Sequence, residues 1–128
     1  MSSPQGGFLN MHVDFNWHHK LQLWRRLNAI VYLTPNWQEQ WGGDLILQKE
    51  GDSTVTKVQP VFNRAVIFNV DDKCFHGQPE PLKCPNNISR NLFSSFYYSR
   101  MKSKDTSSDP HFTKYSVENS KFATDLKL

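Results

Sequence analysis

LNAIVYLTPNWQEQWGGDLIL, residues 27–47, opens with a run in which Leu27, Ala29, Val31 and Leu33 fall on one face of an extended chain and Asn28, Ile30 and Tyr32 on the other. One face is greasy and the other mixed, as in a barrel wall whose inner surface lines a polar pocket. Pro35-Asn36 and Gly42-Gly43 then supply the backbone conformations of turns before a second apolar run begins.

The same punctuation recurs along the chain. Residues 7–13, 27–33, 44–49, 54–59, 65–70 and 92–98 read as strands, separated by Gly51-Asp52, Asn63, Gly77 and Pro85-Asn86-Asn87 as well as the two turns above. Many short strands at this spacing predict a mainly β sandwich or barrel. Residues 15–26 carry Trp17, His18, His19, Trp24, Arg25 and Arg26 and read as a loop or short helix. Residues 1–100 are expected to form the body, with 101–128 a polar tail draped on it that regains Phe112, Tyr115, Val117 and Phe122.

At 128 residues the chain is one domain in size, and an apolar share of 38% is enough for a packed interior. The net charge of +3 is too mild to imply nucleic acid; Arg25-Arg26 and Lys102 with Lys104 read as solvated surface. Cys74 and Cys84 lack the partners of a zinc knuckle or a disulfide framework and are expected to be free thiols. With neither a signal sequence nor a membrane span in evidence, a cytoplasmic, soluble protein is expected.

His12-Val13-Asp14 puts an imidazole and a carboxylate on one face of a strand, where both can meet one ion. His76, after the run at 65–70, is the candidate third ligand. Two histidines and a carboxylate leave open positions on octahedral iron(II), and the same set with an open site also suits zinc and water activation. Arg90 decides between them. It opens the last strand on the face it shares with Ser94, and an inward guanidinium there needs an anionic partner, which a dicarboxylate supplies in bidentate fashion.

These residues resemble the prolyl 4-hydroxylase-like family of 2-oxoglutarate and iron(II)-dependent oxygenases, over residues 6–100. The HxD pair, the distant His and the Arg stand in that family's order, accompanied by the stretch at 27–47, by VFNRAVIF before His76 and by RNLFSSFYYS after it. The resemblance implies a double-stranded β-helix, a cupin-like jelly roll, with Fe(II), 2-oxoglutarate and O2 as cofactors. His12, Asp14 and His76 would be the metal ligands; His12 and Asp14 would end one strand and His76 begin another. Arg90 would clamp the distal carboxylate of 2-oxoglutarate, with Tyr32 helping, Ser94 a weaker polar neighbour and Leu45 an apolar wall.

The implied reaction is hydroxylation of a C–H bond in a prolyl, peptide or small-molecule substrate, giving succinate and CO2; Asp14, being a carboxylate, favours this over halogenation. For substrate contacts the candidates are Trp17, Trp24, Arg25, Arg26, Trp37 and Trp41, in loops expected to flank the mouth. Relatives usually carry helices and a further strand ahead of Gly6. Exposed apolar surface, and either a fragment or a homodimer that covers it, are therefore expected. A metal-binding module without turnover and a zinc hydrolase using the same three ligands are the alternative functions.

Overall fold

A computed structural model describes residues 1–102, 104 and 109–116. Their regular structure is ten strands and one 3-10 turn at Glu39–Trp41. The strands are β1 (Ser2–Ser3), β2 (Leu9–Val13), β3 (Trp17–His18), β4 (Leu23–Tyr32), β5 (Leu45–Lys49), β6 (Val55–Val58), β7 (Ala65–Asn69), β8 (Cys74–Gln78), β9 (Arg90–Ser99) and β10 (Lys114–Tyr115).

Two antiparallel sheets of five strands result. One runs β1-β9-β4, with β3 and β7 both paired to β4, and the other runs β10-β2-β8-β5-β6. The chain crosses repeatedly from one sheet to the other as it advances, which is the double-stranded β-helix expected from the sequence. Side chains from both sheets line a cavity between them. Tyr32, Leu45 and Leu92 are buried, and each aliphatic so buried contributes about 1.5–3 kcal/mol relative to exposure.

The alternation read in residues 27–33 places Asn28 and Ile30 on the cavity, as expected. Ahead of them it fails. Arg25 lies opposite Tyr98 and Leu27 opposite Tyr97, so Arg26 is an extra residue in β4. This bulge turns Arg25 onto the face of Asn28, where strict alternation would have put it with Leu27. A second irregularity lies in β2, where Leu9 opposes Gln78 but His12 opposes His76.

Two segments differ from the sequence expectation. Residues 15–26 are neither loop nor helix alone: β3 and the start of β4 form a hairpin around Gln22, whose φ is 55°. His76 sits in the middle of β8, with Gly77 after it in the strand and not in a turn. Gly77 is there for close approach, since a Cβ on it would lie 2.8 Å from Leu9 O and 2.9 Å from Asn10 O. Of the tail, residues 114–116 pair with β2 through β10, while Val117 and Phe122 fall outside the described residues.

Cys74 and Cys84 are free thiols. Ile67, Phe93 and Tyr97 stand exposed on the outer faces of β7 and β9, so apolar surface is bare as expected. No helix of the described residues is long and apolar enough to cross a membrane.

Because the atoms that would meet a Cβ at residue 77 are backbone, Gly77→Ala must push β2 and β8 apart. A loss of about 1–3 kcal/mol is expected, read as a lower denaturant midpoint in equilibrium unfolding; an unchanged midpoint would show that the strands are not so closely paired.

Candidate active site

β2 delivers His12 from within the strand and Asp14 from the first residue past its end, while β8 delivers His76 from directly opposite. The imidazole rings of His12 and His76 are 4.3 Å apart between centroids. His12 Nε2 lies 3.2 Å from Asp14 Oδ1, and His76 Nε2 lies 3.5 Å from Asp14 Oδ2. One donor atom from each of the three falls within 4.8 Å of the others.

The protonation states suit a cation. His12 Nδ1 pairs with Asn10 O at 2.7 Å; as donor to that carbonyl it leaves the Nε2 lone pair facing the centre. Burial, aided by His12, pushes the pKa of His76 down to about 4 against the pull of Asp14, so the ring is neutral at pH 7. Burial alone would raise the Asp14 pKa, but His12, His76, Arg25 and Asn28 outweigh it and hold the carboxyl well below the usual range. Two imidazoles with Nε2 turned to the centre and a carboxylate are the donor set that leaves positions open on octahedral iron(II).

Asp14 is held from behind by groups that sequence reasoning missed. Asn28 Nδ2 donates to Oδ2 at 2.7 Å, and Arg25 Nη2 lies 3.2 Å from the same oxygen. Arg25 also donates through Nε and Nη2 to Asn28 Oδ1, and its guanidinium lies over the rings of Phe15 and Phe96 at 4.6 and 4.0 Å. Arg25, expected at a substrate mouth, is therefore a buried partner of the carboxylate. The Arg26 bulge is the cause, and periodicity alone carries no sign of it.

The cavity, of about 320 Å³, is lined among others by His12, Asp14, Leu45, His76, Arg90 and Ser94. Arg90 Nε donates to Gly43 O at 2.9 Å, and among the described residues no carboxylate forms an ion pair with it. Burial depresses its pKa, the cost that an anionic ligand would offset. Tyr32 lies behind it: the Arg90 guanidinium carbon is 5.2 Å from the ring centroid, and the buried hydroxyl and the guanidinium are near enough to act on each other's ionisation. A cationic fork beside a buried hydroxyl fits a carboxylate.

The tryptophans serve other ends. Trp37 and Trp41 pack edge to face at 5.2 Å away from the cavity, and Trp37 Nε1 donates to Gly42 O at 2.8 Å, bracing the turn that holds Arg90. Their indoles find partners in each other and in the turn, so neither flanks the mouth as expected. Trp24 packs at a tilt against Trp17, 4.8 Å between ring centroids, under Lys102, and does not line the cavity either. Trp17 does border an outer groove of about 640 Å³, between residues 15–20 and 110–112, which meets the cavity at Phe15. Arg26 hydrogen-bonds to Ser99 Oγ outside the cavity.

A family model described as the 2OG-Fe(II) oxygenase superfamily matches residues 1–98. The chain belongs to that superfamily. Its cofactors, Fe(II), 2-oxoglutarate and O2, are those the sequence implied, and the His12, Asp14 and His76 group fits an iron site. Among solved structures the chain is similar to a Pseudomonas putida prolyl-4-hydroxylase, at 23% identity and a TM-score of 0.58, over 78% of this chain and 50% of that one. It is also similar to a prolyl hydroxylase from Trichoplax adhaerens in complex with a hypoxia inducible factor oxygen degradation domain peptide fragment, at 26% identity and a TM-score of 0.57, over 76% of this chain and 40% of that one. The chain thus spans half or less of these relatives' length. No curated protein sequence matches it significantly.

The depressed pKa of His76 sets a pH dependence for the metal-free protein. Between the ordinary value of 6.5 and about 4, the unfolded chain takes up a proton that the folded one refuses, so stability falls as pH falls through that window. Asp14 extends the loss below 3.8, where only the unfolded carboxylate is protonated. Denaturant midpoints at pH 7 and 4.5 are expected to drop on acidification, and to drop less in His76→Gln; an identical drop in both proteins would contradict the assignment.

Proposed function

We propose that this chain is the catalytic core of a 2-oxoglutarate- and Fe(II)-dependent hydroxylase, with His12, Asp14 and His76 as the metal ligands and Arg90 as the cosubstrate clamp. One observation carries the reading. Three ligand side chains face a common point in a cavity whose lining also includes a guanidinium that no carboxylate of the described residues meets at ion-pair distance.

When bound, iron with 2-oxoglutarate and dioxygen supplies the oxidising power that turns a substrate C–H into C–OH while succinate and CO2 leave. The chain's own contribution is placement. His12 and His76 present Nε2 across the β2–β8 pair, and Asp14 keeps Oδ1 for the metal because Oδ2 is taken by Asn28 and Arg25. Arg90, fixed through Nε by Gly43 O, offers its remaining N–H groups to the distal carboxylate of 2-oxoglutarate, with the Tyr32 hydroxyl beside it, Ser94 as a polar neighbour and Leu45 along the apolar stem. The apolar walls Ile30, Phe68 and Leu92 limit water near the reacting atoms.

The substrate is a prolyl or peptide segment or a small molecule reaching the cavity past Phe15. The likeness to two prolyl hydroxylases supports the first, and the groove beside Trp17 has room for chain on either side of a reacting residue.

Calorimetric titration of the anaerobic iron-loaded protein with 2-oxoglutarate tests the reading. One site is expected, and Arg90→Ala should weaken it by roughly 100-fold, the size of effect seen when one partner of a buried charged pair is removed. Equal affinity in the two proteins would remove the cosubstrate assignment. Succinate formation that needs oxygen separates a working oxygenase from a module that only binds metal and from a zinc hydrolase.

A further inference from the structure

Residues 109–116 lie beyond the segment matched by the family, which ends at residue 98, yet they return to the strand that carries His12. β10 places Tyr115 opposite His12 and Lys114 opposite Val13, and the Ser116 amide donates to Met11 O at 2.8 Å. The Tyr115 ring lies 5.3 Å from that of His12, and Thr113 lines the cavity. Two fastenings hold this strap. Asn16, two residues past Asp14, donates from Nδ2 to Asp109 O at 3.1 Å and accepts the His111 amide on Oδ1 at 2.9 Å. His111 Nε2 meets Asp72 Oδ1 at 2.7 Å, with the two side chains only 9% and 15% exposed.

The position of β2 gives these contacts their meaning. Without β10 it would be the edge of its sheet, paired on one side to β8 alone, and edge ladders open to water more readily than interior ones. Two of the three ligand positions, 12 and 14, depend on that strand. Asp72 lies in the short connection between β7 and β8, four residues before His76, so the Asp72–His111 pair ties the strap to the connection leading into the strand of the third ligand.

We propose that residues 109–116 are a positioning part of the metal centre: a strap that keeps the ligand-bearing edge strand closed, so that the rate of metal loss is set by the Asp72–His111 fastening. The proposal rests on reading His12, Asp14 and His76 as metal ligands. Neither His111 nor Asp72 lines the cavity, although His111 borders the outer groove; toward the metal they act through β10 and β2.

The test uses the full chain loaded with Co(II) and mixed with an excess of chelator, in the wild type, Asp72→Ala, His111→Ala and the double variant. Removing a poorly solvated side-chain hydrogen bond shifts local opening by roughly tenfold, so each single variant is expected to release Co(II) about tenfold faster. The double variant should be slower than the product of the two single effects would give, because both break the same contact. Hydrogen exchange should rise at residues 11–13 and 114–116 and stay unchanged at 27–33, which a general loss of stability would not reproduce. Release at the wild-type rate in both single variants overturns the strap. A wild-type protein that holds no Co(II) overturns the ligand reading itself, and with it the strap's purpose.

Discussion

Charge buried between two sheets is the constraint on which the rest of this structure depends. Asp14 stays ionised in a half-buried place because two imidazoles, an amide and a guanidinium surround it, and every one of those partners must be aimed inward by the backbone. Arg25 is itself costly to bury, and is offset by Asp14, by Asn28 and by the faces of Phe15 and Phe96. An apolar barrel of the same size would be simpler to fold. The polar interior is the price of a site that carries a carboxylate and two lone pairs to one point.

Aiming those groups falls to irregularities in otherwise regular strands. The extra residue Arg26 rotates Arg25 inward, and the irregular pairing of β2 with β8 brings His12 opposite His76. Gly77 lets the two backbones close to a distance that any side chain would forbid. At the other side of the cavity Gly43, with φ 85°, presents its carbonyl to Arg90, and a Cβ there would lie 3.1 Å from Arg90 Cδ. The Trp37–Gly42 hydrogen bond steadies that turn, so an indole far from the cavity still fixes where the guanidinium sits.

Much of this was legible in the sequence because alternation and turn chemistry are local. Residues 27–33 declared their two faces, and the HxD pair with a distant His and an inward Arg stood in the order of a known family. What escaped was set by other strands. Nothing in residues 22–28 announces a bulge, so Arg25 read as a surface group and Asn28 had no assigned task. Gly77 looked like a turn because the need for a bare Cα comes from Leu9 and Asn10, nearly seventy residues earlier in the chain. The tryptophans looked like a mouth because aromatic residues in loops suit binding and packing equally well. The strap at 109–116 was read only as tail, since two strand residues among polar neighbours carry no periodicity.

Anomalous diffraction at the iron edge, from crystals of the chain loaded with Fe(II) without oxygen, addresses the central claim most directly. A single peak is predicted at about 2.0–2.2 Å from Nε2 of His12, Nε2 of His76 and one oxygen of Asp14. A peak elsewhere, or one that leaves any of the three side chains out of reach, would contradict it.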